Sequence, residues 1–254
     1  IRWHRGDDYY TAENWRGKWA SDGGTLMNQC IHGIDLLSWM LGEEVVEVYG
    51  MTNNAFHECI EGEDIGVAVV RFKNGALATI EGTVNCFEDF EQTLTIFGEK
   101  GTVRLGGMYA NKVDSWSFSD NLPEDDETIE GTVNCFEDFE QTLTIFGENG
   151  TVRLGGMYAN KVDTWRFSDN LPEDDETIEI DEKAKNVYGN GHTSLYADFI
   201  DSIENNKKPY VDLYVGRRVI EIILAIYKSQ KTGLPVKFPL KDFASIDMQG
   251  EFNK

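Results

Sequence analysis

The sequence predicts an α+β fold: a large, open, predominantly antiparallel β-sheet, extended by duplicated strands, with about three helices on one face. Three observations carry this expectation. Short runs of alternating apolar and polar residues fill the middle of the chain, and two of them meet at Asn74-Gly75, the strongest short hairpin signal. Helical periodicity is confined to one early and two late segments. The connections between strand runs are short turns, which favours antiparallel neighbours.

Taken in order, residues 1–20 (IRWHRGDDYYTAENWRGKWA) mix aromatic and Arg residues without a period and read as a loop with a short strand. From Gly24 to Leu41, Met27, Ile31, Ile34 and Leu41 fall at helical spacing, with Asp22 as candidate cap and Gly42 as the stop. Strand-like runs follow at Val45–Met51, Ile65–Lys73 and Ala76–Asn85. Further runs lie at 92–97, 102–105 and 112–118. The NLPEDDE stretch after them reads as a solvated loop. In His192–Glu204, Leu195, Phe199 and Ile203 recur at four-residue steps, as do Val219, Ile223 and Tyr227 in Leu213–Lys231. Gly233 and Pro235 end the last helix, and VKFPL closes the domain.

A hydrophobic fraction of 41% supplies enough apolar material for a core, which excludes global disorder. With 45 acidic against 23 basic residues the formal charge is −22, a field that repels phosphates and argues against a nucleic-acid partner. No apolar run reaches the roughly 18 residues of a membrane span, so no membrane partner is expected. The chain opens at Ile1 without Met or leader, as a processed or excised piece would. Cys30, Cys59, Cys86 and Cys135 form no C-x-x-C pair, which leaves no zinc signature and fits a reducing cytoplasm.

The chain repeats itself. Residues 79–127 and 128–176 carry the same 49-residue text, differing only as Lys100/Asn149, Ser115/Thr164 and Ser117/Arg166. Solenoid repeats diverge and recur with capping units, unlike this pair. A very recent natural duplication and deliberate engineering both fit, and the non-random placing of the three differences favours engineering. The whole of 1–254 reads as one domain carrying a copied block of strands. Three helices cover roughly six strands. The added strands therefore leave an apolar face on the order of 400 Å² uncovered. A symmetric homodimer in which the extended sheets cover each other is the expected partner. Asn149-Gly150 improves a hairpin turn over Lys100-Gly101, and Arg166 guards a more exposed strand.

Most site chemistry is missing. There is no G-x-G-x-x-G turn to bring backbone N–H groups to a pyrophosphate, and Gly189-Asn190-Gly191 lacks the third Gly. Neither a P-loop, a G-x-S-x-G elbow nor an H-E-x-x-H helix occurs. The PEDDE runs lack the alternating ligands and central Gly of a calcium loop. His57-Glu58-Cys59 has no partner pair and reads as a surface turn. No cofactor and no metal are therefore expected. One constellation remains: Asn28, His32 and Asp35 lie at i, i+4 and i+7, on one helical stripe. A histidine offered beside an amide suits acid–base work on an alcohol or carbonyl; a polar helix edge with a satisfied histidine is the plainer reading.

The run WRGKWASDGGTLMNQCIHGIDLLSWMLGE resembles the Gly-Gly…His-x-x-Asp-Leu-Leu segment of the glucose–fructose oxidoreductase/inositol dehydrogenase/rhizopine-catabolism (Gfo/Idh/MocA) family, in the flavour of its nucleotide-sugar dehydrogenases. The tail from GHTSLYADFIDSIE to GLPVKFPL is similar to the same family's C-terminal segment. The resemblance implies the C-terminal α/β domain, whose broad sheet builds the oligomer, of an NAD(P)-dependent enzyme with its Rossmann domain elsewhere. The family's histidine falls on His32 and its Asp/Asn position on Asn28. The Glu-Lys-Pro lysine has no counterpart, so both are expected to be vestigial. The leading expectation is thus a non-catalytic scaffold or oligomerisation domain. The alternatives are a UDP-sugar oxidoreductase fragment needing its nucleotide domain in trans, and a sugar-nucleotide binding module using Trp3, Trp15, Arg16 and His32.

Overall fold

In a computed structural model of the protein, the described residues are 1–42, 44–108, 110, 112–119, 143–147, 150–155, 161–167, 191–209 and 211–252, with 143–167, 191–194 and 215 described through the backbone alone. The acidic loops at 121–127 and 170–176, the second copy's opening strand, Cys135, Asn149, and the side chains of Thr164 and Arg166 lie outside the described residues.

In chain order the elements are α1 (Asp7–Thr11), α2 (Thr25–Asn28), α3 (Ile31–Leu41), β1 (Val45–Asn53), β2 (Ile65–Phe72), β3 (Leu77–Thr83), β4 (Leu94–Phe97), β5 (Gly101–Gly106) and β6 (Lys112–Phe118). Then come β7 (Leu143–Gly147), β8 (Gly150–Gly155), β9 (Lys161–Phe167), α4 (Gly191–Glu204), α5 (Leu213–Thr232), β10 (Val236–Lys237) and a 3₁₀ turn at Ser245–Met248. They divide into two compact units, one of residues 1–90 with 212–254 and one of residues 91–211. No helix among the described residues is long and apolar enough to cross a membrane.

In the first unit β10-β1-β2-β3 form a four-stranded antiparallel sheet. The Asn74-Gly75 turn closes β2 onto β3: Gly75 takes φ +90°, a conformation that L side chains resist. The Asn74 side-chain oxygen accepts the Ala76 N–H at 2.9 Å. Strand alternation then sorts the residues by face. Val48, Ala68, Val70, Phe72 and Ile80 are buried on one face. On the other, Tyr49 stands opposite Val69 and Met51 opposite Val67, all four exposed.

The buried face packs under α5, whose Val219, Ile222, Ile223, Ile226 and Tyr227 are buried at the four-residue spacing read from the sequence. Each fully buried aliphatic side chain contributes about 1.5–3 kcal/mol, so this stripe is the main stabiliser of the unit. Gly50 N–H and Thr52 N–H on β1 donate to Ser229 Oγ at 3.0 Å and Gln230 Oε1 at 2.9 Å on α5. Helix α2 lies over Gly66 and Gly82, a cross-strand pair of β2 and β3. A Cβ on Gly82 would meet Cys30 Sγ at 2.5 Å and Leu26 Cδ2 at 2.8 Å, so the absent side chains make the seat for the helix.

The expected α+β class, with open antiparallel sheets, holds, but the strands do not form one continuous sheet. Among the described residues β4-β5-β6 and β7-β8-β9 are separate three-stranded meanders. Their registers match position for position, Leu94↔Leu105 answering Leu143↔Leu154, and the same bulge recurs at Arg104/Leu105 and Arg153/Leu154. Near-identical text closes its own tight turns locally, so each meander pairs within itself, while the first copy's opening residues Thr79–Thr83 pair with β2.

Candidate functional site

The helix read from Gly24 to Leu41 is broken, and the break makes the site. The N–H groups of Gln29 and Cys30 both reach back to the Thr25 carbonyl, at 2.9 and 3.0 Å, which ends α2 at Asn28. Helix α3 restarts at Ile31 and stops at Gly42, in the left-handed conformation (φ +64°) expected of it. Asn28 and His32 therefore stand on either side of a break rather than on one continuous stripe. His32 and Asp35 share α3 and are exposed. Asp22 does not cap the helix: Gly24 holds that position, and Asp22 instead accepts Gly17 N–H at 2.8 Å and the Asn28 amide at 2.6 Å.

Asn28 is held from three sides. Tyr9 Oη donates to Asn28 Oδ1 at 3.0 Å, Gln29 Nε2 donates to Tyr9 Oη at 2.9 Å and also to Asn28 Oδ1, and Asn28 Nδ2 donates to Asp22. One amide N–H of Asn28 is left without an acceptor among the described residues. The His32 ring has no hydrogen-bond partner among the described residues, so both its nitrogens are open. Chemically Asn28 offers a fixed N–H donor at the end of α2 and His32 an open imidazole in the first turn of α3, residue types suited to an oxygen whose proton is to be moved. Arg16 lies over the Tyr9 ring, its Cζ 4.2 Å from the centroid, and Trp15 flanks it at 5.4 Å. Trp3, expected among ligand-binding residues, is instead buried.

Beneath this shelf lies a buried acid that sequence reasoning passed over. Glu63 is fully buried; its backbone carbonyl accepts Thr25 N–H at 2.8 Å, and its Oε1 accepts Leu26 N–H at 2.8 Å and Tyr227 Oη–H at 2.9 Å. It thereby ties the start of α2 to α5. Burial pushes its carboxyl up to about 8, against the hydrogen bonds that favour the anion. Gly24 makes room for it, since a Cβ there would fall 1.8 Å from Glu63 Oε2.

The neighbouring Asp64 behaves oppositely. Burial alone would raise it, but hydrogen bonds from His57 and from the Ala55 and Phe56 N–H groups hold it well below the usual carboxylate range. His57 is therefore no surface turn. It is buried, with Nδ1 3.1 Å from Asp64 Oδ2 and Nε2 2.7 Å from the Arg5 carbonyl. A carbonyl can only accept, so Nε2 carries a proton, and the carboxylate on Nδ1 favours a second. The Asp64 hydrogen bond accordingly raises the His57 pKa against the effect of burial. The Glu63–Asp64 doublet has a sequence signal of a kind: it directly precedes an apolar strand and follows Gly62, where a solvated acidic turn would have no need of either.

A profile described as the GFO/IDH/MocA C-terminal domain matches residues 1–104, and one described as the oxidoreductase family C-terminal alpha/beta domain matches residues 127–238. The WlbA dehydrogenase from Bordetella pertussis, solved in complex with NADH and UDP-GlcNAcA, is 31% identical with a TM-score of 0.60, over 95% of this chain and 55% of that one. The WlbA enzyme from Chromobacterium violaceum, solved with the same two ligands, is 28% identical with a TM-score of 0.50, over 95% of this chain and 54% of that one. The myo-inositol 2-dehydrogenase of Thermotoga maritima is 34% identical over 84 residues, 32% of this chain and 25% of that protein. The chain thus spans about half the length of the solved structures it matches and a quarter of the curated relative. With both halves of the sequence matched and the α+β fold in place, the chain belongs to the C-terminal domain family of the NAD(P)-dependent Gfo/Idh/MocA oxidoreductases.

Proposed function

We propose that this chain is the substrate-recognising half of an NAD(P)-dependent oxidoreductase acting on a nucleotide sugar. The carrying observation is Asn28, an amide held by Tyr9, Gln29 and Asp22 with one N–H lacking an acceptor among the described residues, followed by the exposed His32 imidazole in the first turn of α3. The similarity to dehydrogenases solved with UDP-GlcNAcA supports the choice of substrate class. The described residues do not fit a dinucleotide: every sheet is antiparallel, and no glycine-rich turn leads from a strand into a helix. The nicotinamide, which supplies the hydride acceptor, is on this reading held by a separate nucleotide domain, and this chain alone does not turn over. Its own part is to orient the sugar hydroxyl through Asn28 and to take that hydroxyl's proton on His32. Calorimetric titration of UDP-GlcNAcA tests this. Saturable binding that Asn28→Ala weakens at least tenfold is expected; absence of binding to the intact chain overturns the reading.

A second reading concerns partners, and the outer face of the four-stranded sheet favours it. Met51, Val67, Val69 and Leu77 are exposed there, a contiguous apolar strip flanked by the Arg71–Glu47 and Arg2–Glu81 ion pairs. Such a strip with a charged border has the composition of an interface. The chain pairs with a second copy of itself through this face, as a homodimer. Light scattering tests it, with a monomeric mass across the micromolar range as the contrary result.

A further inference from the structure

The described arginines divide into two kinds. Arg2, Arg5, Arg71, Arg104 and Arg217 each have a carboxylate oxygen within 3.5 Å. Arg16 has none. It is fixed by other means: its guanidinium lies over the Tyr9 ring, with the Trp15 ring also within cation–π reach, and Nη1 donates to the Tyr9 carbonyl at 2.8 Å. Nε is buried without a partner, while Nη2 is neither buried nor bonded within the described residues. In a chain of net charge −22, a half-buried cation held by aromatic faces instead of an acid is unusual. Stacking keeps the fork planar and oriented while leaving its charge uncompensated, which is the arrangement that receives an oxyanion.

The same Tyr9 that carries Arg16 on its ring donates its hydroxyl to Asn28. One side chain therefore sets both the cation and the amide of the candidate site. We propose that Arg16 is the specificity-determining residue of this site, pairing through its outer edge with an oxyanion of the substrate, either a sugar carboxylate or a phosphate. This rests on the Asn28–His32 shelf being substrate-facing. The Asp89 partner of Arg5, which also stacks on Tyr9 at 5.5 Å, keeps that second cation neutralised and leaves Arg16 as the anion receptor.

The test is calorimetric titration of UDP-GlcNAcA, UDP-GlcNAc and UDP into the intact chain and into Arg16→Gln, Arg16→Met and Arg16→Lys, each at two salt concentrations. Removing a charge-assisted pair weakens binding by about ten- to a hundredfold. Arg16→Gln should lose that factor for UDP-GlcNAcA together with most of the salt dependence, and Arg16→Lys should retain the salt dependence. A carboxylate partner confines the loss to UDP-GlcNAcA; a phosphate partner spreads it over all three ligands. Arg16→Met, which keeps the stem packed on Tyr9, replaces the Gln variant if the latter melts early. Binding and salt response unchanged in the uncharged variants overturn the role of Arg16, and a concurrent loss in Asn28→Ala leaves the site reading intact. An intact chain that binds none of the three overturns both.

Discussion

Replacing Glu63 by Gln should abolish a pH dependence of stability that ordinary carboxylates cannot produce. Glu63 is fully buried and its pKa is raised to about 8, from 4.5 in an exposed chain. Between those values the folded protein holds a proton that the unfolded chain has released. The Glu63 contribution is therefore fully present below 4.5 and is lost as pH rises towards 8, by about 1.4 kcal/mol per unit and roughly 4–5 kcal/mol in all. His57, also raised, adds its own loss only above its ordinary 6.5. The window from pH 4.5 to 6.5 thus isolates Glu63, where it contributes about 2–3 kcal/mol. Urea unfolding followed by tryptophan fluorescence at pH 5, 5.5, 6 and 6.5 reads this slope. Glu63→Gln shifts stability by a constant, because its amide must fit where Oε2 now lies against Gly24, but its profile across the window is flat. A flat profile in the intact chain, or an unchanged slope in the variant, refutes the assignment of a buried, protonated Glu63.

Other expectations concern the same framework. Asp64 has its pKa depressed, so its contribution is present above about 3.8 and is lost as pH falls through the lower folded value; Asp64→Asn should flatten this acid limb in a pH-jump unfolding series. It should also cost about 3 kcal/mol at neutral pH, since the buried carboxylate that accepts the Ala55 and Phe56 N–H groups and faces His57 is lost. Gly82→Ala drives a methyl into Cys30 Sγ and Leu26, lowering stability by about 1–3 kcal/mol in thermal unfolding, whereas Gly75→Ala strains only a turn. Val69→Lys on the open sheet face should reduce the mass seen in light scattering without lowering the melting temperature.

Much of the frame was legible because its signals are local. Asn74-Gly75 announced its hairpin, Gly42 its helix stop, and the spacing of Val219, Ile223 and Tyr227 the face of α5 that the core buries. The site was legible only by type. Asn28 and His32 stood out, but their separation by a break depends on two N–H groups sharing the Thr25 carbonyl, and no spacing rule encodes that. Glu63 and His57 escaped for a related reason. An acidic doublet and a His-Glu-Cys turn look solvated until residues distant in sequence, Tyr227, Leu26 and Arg5, are brought against them. The repeat misled in one respect, by suggesting that copied strands lengthen a single sheet. Among the described residues short turns let β4-β5-β6 and β7-β8-β9 each close as a meander of its own, while the first copy's opening strand pairs with β2.

The most direct measurement is a two-dimensional ¹H–¹⁵N spectrum of the intact chain titrated with UDP-GlcNAcA. Shift changes that saturate and concentrate on Tyr9, Arg16, Asn28, Gln29 and His32 are expected. Changes confined instead to the aromatic cleft of about 390 Å³ between Phe56 and Phe87, or no saturable change anywhere, contradict the assignment of this face as the nucleotide-sugar site.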